Sequence, residues 1–194
     1  VALGGYSLSA NTTASNNTAV GYASLQTNTT GAYNTATGYQ SLNAATTATS
    51  NTAYGAHSLL TNTTGASNTA IGKSALNSNT TGGTNVAVGM NVLYANTTAS
   101  NNTGVGYEAF RYNTTGANNT AMGYYALKAN TTGASNTAVG YGSLLTNTSG
   151  SYNVAFGRNS LNGNTTANYN IATGAEALKT NTTGSANVAI GFNS

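Results

Sequence analysis

Asn occurs at 17, 34, 51, 68, 85, 102, 119, 136, 153, 170 and 187, always 17 residues apart, with no insertion or deletion between Val1 and Ser194. This unbroken phase constrains the fold more than any other feature of the chain. With Asn17 as slot 1, the unit reads N-T-A-V-G-Y-x-S-L-x-x-N-T-T-G-A-S. Slot 5 is Gly in all twelve copies and slot 13 is Thr in all eleven. Slot 9 is Leu in ten of eleven, with Phe110 the exception. Slot 12 is Asn in ten of eleven (Ala45 departs), and slot 3 is Ala in eleven of twelve (Gly104 departs). A disordered linker has no need of phase and no reason to place one Leu per unit. Strict phase means that every unit meets the same surroundings.

Asn, Thr and Gly are poor helix formers, and together they make almost half the chain. Short strands and tight turns suit the unit better. Slots 2 to 4, such as Thr18-Ala19-Val20, read as one strand. Slots 8 to 14 read as a second extended piece around Leu25. Gly at slot 5 and Gly or Ala at slot 15 punctuate the two. The expected fold is all-β: a parallel β-solenoid, or β-roll, with one coil per 17-residue repeat, over a single array spanning residues 1–194. About eleven coils stacked at the spacing of any sheet, ~4.8 Å, give a rod roughly 55 Å long.

Stacking explains the composition. Asn side chains in register donate and accept along a column. Thr suits a β surface, and the absence of Pro keeps the backbone donors. Charges repeated on every coil would repel. The seven charged residues stand only at slots 6, 7 and 10.

The core should be thin. Slot 9, from Leu8 to Leu178, should be the most buried column, and slot 4 (Val20, Thr37, Tyr54, Ile71, Val88, Val105, Met122, Val139, Phe156, Thr173, Ile190) should be mostly buried, within its coil or across a chain interface. Slot 3 lies on the opposite face of the strand, and its constant Ala implies close approach of something. That is either the facing wall of a narrow coil or another chain. Thirteen Tyr, most at slots 6, 7 and 17, also favour several parallel chains over a lone solenoid. Because both ends fall inside a unit, we expect the array to continue in phase, or to stack end to end, as an interior stretch of a longer filament.

The segment NTAVGYASL (17–25), followed by TNTTGAY (27–33), resembles the NTAxGYxAL…NTTG repeats of bacteriophage tail fibres and related bacterial surface fibres. The core Asn85-Val86-Ala87-Val88-Gly89, repeated at Asn187-Val188-Ala189-Ile190-Gly191, also resembles the head repeats of trimeric autotransporter adhesins. The resemblance implies parallel β-rolls assembled as a homotrimer, on a cell surface or virion.

Chemistry has few carriers here. There is no Cys or Asp and only one His, so no zinc, iron–sulfur or Ser/His/Asp constellation is expected. Glu108 and Glu176 share slot 7 four coils apart, ~19 Å at sheet spacing, beyond the roughly 5–9.5 Å of a glycosidase pair. His57, also at slot 7, reads as a solvated turn residue. We expect no catalytic, cofactor or metal site and no enzyme. A formal charge of +3 spread over the chain is too dilute for a nucleic-acid footprint. No apolar run reaches the 18 or more residues of a membrane span.

Three functional readings follow. The first is the structural shaft of an extracellular fibre. The second is a binding face for cell-surface glycans or a receptor, with Tyr22, Tyr39, Tyr107, Tyr124 and Tyr141 stacking on sugars. The third, weakest from sequence, is ice binding by the slot 13 Thr column, whose neighbouring slot 11 is interrupted by Tyr112 and Gly163. Thirteen Asn-x-Ser/Thr sequons also occur, ten at slot 12 and three, Asn16, Asn101 and Asn118, at slot 17. They follow from an Asn/Thr repeat and need no glycan.

Overall fold

The computed structural model describes residues 1–194 and is a parallel β-solenoid with one coil per 17 residues. Strands β1 to β12 recur once per coil, from Ala2–Leu3 and Thr18–Val20 to Val188–Ile190. They form one twelve-stranded parallel sheet in sequence order. Registry is constant at one repeat: Thr18 pairs with Thr35, Ala19 with Ala36 and Val20 with Thr37. The strands are short, yet the stack is continuous around the coil. Of 126 backbone hydrogen bonds, 105 lie outside the strands, so turns carry most of the coil-to-coil bonding.

The expected second extended piece is absent. From slot 5 to slot 11 the chain turns, and its backbone still bonds to the next coil, as in Leu25 N–H to Ser41 O (3.1 Å) and Thr27 N–H to Asn43 O (3.1 Å). The cause is torsional. Slots 7, 9 and 17 lie in the left-handed region in coil after coil, for example Ala23 at φ 55°, Leu25 at 49° and Tyr33 at 61°. A β-strand cannot pass through such angles.

Slot 5 is where glycine is obligatory. Gly106 has φ +124°, and an added Cβ would lie 2.6 Å from the carbonyl oxygen of Gly123 in the next coil. No side chain fits between backbones that close, and none relaxes readily into that torsion.

The core corrects part of the sequence reading. Slot 9 is buried as expected: Leu25, Leu42, Leu59, Leu76, Leu93, Phe110, Leu127, Leu144 and Leu161 are fully enclosed. The residues that face it are the slot 3 alanines, also fully buried. Slot 4 points outward rather than into its own coil, with Tyr54 60% and Phe156 56% exposed on the chain. Successive strand residues face opposite ways, and the interior is too narrow for anything above a methyl group at slot 3. The substitution at Gly104 shows how tight it is. A Cβ there would come 2.5 Å from Cγ1 of Val92. Val92 is the one branched aliphatic at slot 8, otherwise Ser or Ala. The larger side chain of one coil thus fills the space left by the missing methyl of the next, as close packing requires.

Candidate functional site

The coil presents an inner polar scaffold, a charged and aromatic turn, and two uncharged outer faces.

The scaffold is made by two asparagine columns that converge on one carbonyl. Asn28 Nδ2 (slot 12) donates to Gly31 O at 2.9 Å, and Asn17 Nδ2 (slot 1) donates to the same oxygen at 2.8 Å. Each column also bonds along the axis. At slot 1, Asn34 Oδ1 accepts the backbone N–H of Asn51 (3.0 Å) and its Nδ2 (3.1 Å). At slot 12, Asn79 Nδ2 donates to Asn62 Oδ1 (2.7 Å) and Asn96 Nδ2 to Asn79 Oδ1 (2.9 Å). Both columns are buried in the interior coils, and their amides are satisfied by one another and by the turn they close, except at Asn28 Oδ1 and Asn164 Oδ1 in slot 12 and Asn170 Nδ2 in slot 1, which have no partner. The slot 12 column lacks one asparagine. Ala45 has no amide, and Asn28 Oδ1 is buried without a partner.

Slot 13 adds a third axial link. Thr29 Oγ1 donates to Thr46 O (3.1 Å), and the N–H groups of Thr29 and Thr30 donate to the same oxygen (3.0 and 3.2 Å). The slot 13 hydroxyls are therefore spent inside the array. The interior slot 12 sequons are closed as well, their acceptor amides buried and hydrogen-bonded, whereas Asn16, Asn101 and Asn118 stand exposed at slot 17.

The turn at slots 6, 7, 10 and 11 holds every charge. Glu108 is only 5% exposed. Its carboxylate accepts from Arg111 and from Lys128 Nζ (2.8 Å). The Arg111 guanidinium lies against the rings of Tyr94 and Tyr112, 5.8 and 5.2 Å from their centroids, and Lys128 Nζ lies 3.9 Å above Tyr125. Burial works to raise the Glu108 pKa, but the bond from Lys128, the charges of Arg111 and Lys128 and a bond from Asn91 outweigh it, so the carboxyl titrates below the usual range. Glu176 has its own partners, Arg158 at 2.8 Å and Lys179 at 3.3 Å. Neither carboxylate is thus an unpaired acid, and the structure does not bring the two together in one site. His57 is half-buried, edge-on to Tyr39 at 5.3 Å.

The tyrosines expected to stack on sugars stack on each other. Tyr22 and Tyr39 lie 5.6 Å apart with an 11° interplanar angle. Tyr124 is sandwiched between Tyr107 (5.2 Å, 17°) and Tyr141 (5.5 Å, 4°). A side-chain hydrogen bond with Tyr125, then burial, raises the Tyr124 pKa. A second ladder joins Tyr152 to Tyr169 at slot 17 (5.1 Å, 5°). Ring faces in the middle of a ladder are covered.

The two outer faces carry no charge in any coil. One is the sheet face of slots 2 and 4, with an exposed stripe that includes Tyr54, Ile71, Met122, Phe156 and Ile171. Its apolar side chains were missed as a surface because their size suggested a core. The other is the slot 14 and 16 face, where Thr or Ser at slot 14 is exposed in every coil. No three His, Cys, Asp or Glu side chains converge anywhere, and no helix is long and apolar enough to cross a membrane.

These features define a repeat protein of the parallel β-solenoid class. Compared with known proteins, the chain matches no family model, no curated protein and no solved structure.

Proposed function

We propose that this chain is a stiff shaft segment of an extracellular fibre, on a cell surface or a virion, that holds a receptor-binding part away from that surface. One observation carries the reading: the same backbone hydrogen-bonding pattern, with few interruptions, runs from coil to coil around the solenoid along its length. Such an array resists bending and offers proteases no loop.

The shaft assembles with further copies of itself, and a parallel homotrimer is the arrangement we favour. The support is the uncharged apolar stripe at slot 4, which a lone solenoid would leave in water along its entire length. Parallel copies in register would bury Tyr54, Ile71, Met122 and Phe156 against their equivalents.

A glycan-binding face on the turn tyrosines has less support, since Tyr124 has both ring faces covered. Immuno-electron microscopy with antibodies to the chain tests the shaft. Label along thin extended appendages is expected, and label confined to the cell interior would overturn it. Native mass spectrometry tests the assembly, and a monomer at all accessible concentrations would remove the trimer.

A further inference from the structure

The threonines of this chain fall into two populations that the sequence does not distinguish. Slot 13 hydroxyls donate axially to the next coil, as Thr63 Oγ1 does to Thr80 O (3.1 Å) and Thr97 Oγ1 to Thr114 O (3.1 Å). One residue on, at slot 14, Thr13, Thr30, Thr47, Thr64, Thr81, Thr98, Thr115, Thr132, Ser149, Thr166 and Thr183 are all exposed. Their hydroxyls make no hydrogen bond within the chain. Slot 15 between them and slot 16 turns inward and is buried in the interior coils, while slot 16 is half-buried and mostly Ala, Ser or Gly. Eleven free hydroxyls, ten of them threonine hydroxyls with a methyl group alongside, therefore stand in one file, at the coil spacing of ~4.8 Å. Beside them runs a file of small residues.

We infer that this face binds ordered water at the surface of ice. Three properties point to it. First, the face is rigid. The backbone under the file is tied to the next coil at slot 14 in most coils, for example Thr64 N–H to Thr80 O (3.2 Å) and Thr81 N–H to Thr97 O (3.4 Å), and at slot 13 beside Thr98 and Thr166, through Thr97 N–H to Thr114 O (3.2 Å) and Thr165 N–H to Thr182 O (3.1 Å). Contacts made on a rigid scaffold cost little ordering entropy, so many weak ones add up. Second, the face has no charge, because all charged residues stand at slots 6, 7 and 10. A charge would hold water in its own hydration geometry rather than in a lattice. Third, from Thr47 to Thr132 slots 16 and 17, which follow the file, carry no bulky side chain. Slot 17 in those coils is Ser50, Ser67, Thr84, Asn101, Asn118 and Ser135, whereas tyrosines occupy it at Tyr33, Tyr152 and Tyr169. The flat part thus spans the middle six coils.

Slots 13 and 11, the columns where the sequence alone suggests an ice face, hold hydroxyls such as those of Thr29 and Thr61 that are bonded to backbone carbonyls. The structure moves the candidate face to slot 14. The sheet face is a poorer candidate, since Tyr54, Met122 and Phe156 protrude from it. The inference does not depend on the shaft reading.

The test is thermal hysteresis and partitioning into slowly grown ice, measured on the purified chain. The wild type should shape ice crystals, show hysteresis and enter the ice fraction. Thr98→Tyr and Thr115→Tyr place bulk on the flat file and should abolish most of both signals. Val88→Tyr, at slot 4 where Tyr54 is already accommodated, should leave them unchanged. Circular dichroism of all four proteins establishes that each is folded. A folded wild type without hysteresis or ice partitioning overturns the inference. So does equal loss in Val88→Tyr, which would place the effect on another face.

Discussion

Ala45 is the missing rung of the slot 12 ladder, and replacing it with Asn should stabilise the protein. The adjacent Asn28 Oδ1 is buried and unpaired, and Asn62 Nδ2 bonds only to Gly65 O, at 2.9 Å. In Ala45→Asn the new amide would donate to Asn28 Oδ1, and its own oxygen would accept from Asn62. The site is already shaped for it. Asn96 occupies the same slot with an Ala, Ala99, three residues later, as Ala48 is here, and its Nδ2 reaches Ala99 O at 3.0 Å. Two added bonds at about 1 kcal/mol each, one of them relieving a buried orphan acceptor, give about 2–3 kcal/mol. Ordering the Asn side chain removes about 1 kcal/mol. The net is about 1–2 kcal/mol of stabilisation, or a rise in Tm of roughly 2–8 °C for a chain of this size. Thermal unfolding followed by circular dichroism measures it, with Asn113→Ala as the mirror experiment. That variant loses the bonds to Asn96 and from Asn130 (2.8 and 3.1 Å) and should fall by about 2–4 kcal/mol. An unchanged or lower Tm for Ala45→Asn, beside a clear loss for Asn113→Ala, would refute the idea that each rung contributes independently of its place.

Two further expectations follow from the columns. Leu93→Asp puts an unpaired charge into a fully enclosed site and should cost more than about 4 kcal/mol, breaking the stack on both sides, whereas Asn77→Asp at partly exposed slot 10 loses one bond to His57 O and should cost about 1 kcal/mol; similar melting temperatures would contradict the column assignment. Because the Glu108 carboxyl titrates below its usual range in the fold, its contribution to stability is complete above the ordinary glutamate pKa and is lost as pH falls through the lower folded value. The Tm of Glu108→Gln should therefore be lower near neutral pH and fall less steeply on acidification than the wild type, which parallel melts across that range would check.

The period, the strand at slots 2 to 4, the buried Leu and the asparagine ladders were legible because each rests on a residue type that can do little else at that spacing. The inward and outward faces of the strand were not. Ala at slot 3 and Val, Ile or Phe at slot 4 both look apolar, and only the width of the coil decides which is enclosed. The turns at slots 7 and 9 were hidden for a different reason. Leu at φ near 50° runs against its own torsional preference, so the residue that best fills the core disguises the backbone it adopts. Gly142 at slot 7 (φ 62°) and Asn at slot 17 (Asn16, Asn101 and Asn118, φ 59–61°) were the available signals. The distinction between slot 13 and slot 14 threonines was illegible, since it depends on which hydroxyl meets the next coil's carbonyl.

The constant registry of one repeat also governs how such a chain can change over time. Every contact of a residue outside its own coil is with the residues near 17 before or after it. Duplicating or deleting one whole unit therefore keeps every column in register and alters the rod's length, at the cost only of coil-specific pairs such as Val92 with Gly104 or Glu108 with Lys128. Any other insertion shifts every column beyond it, setting Leu against Asn and obligatory Gly against side chains. Length can thus drift freely between descendants in whole steps, while the spelling within a step is held fixed by its neighbours.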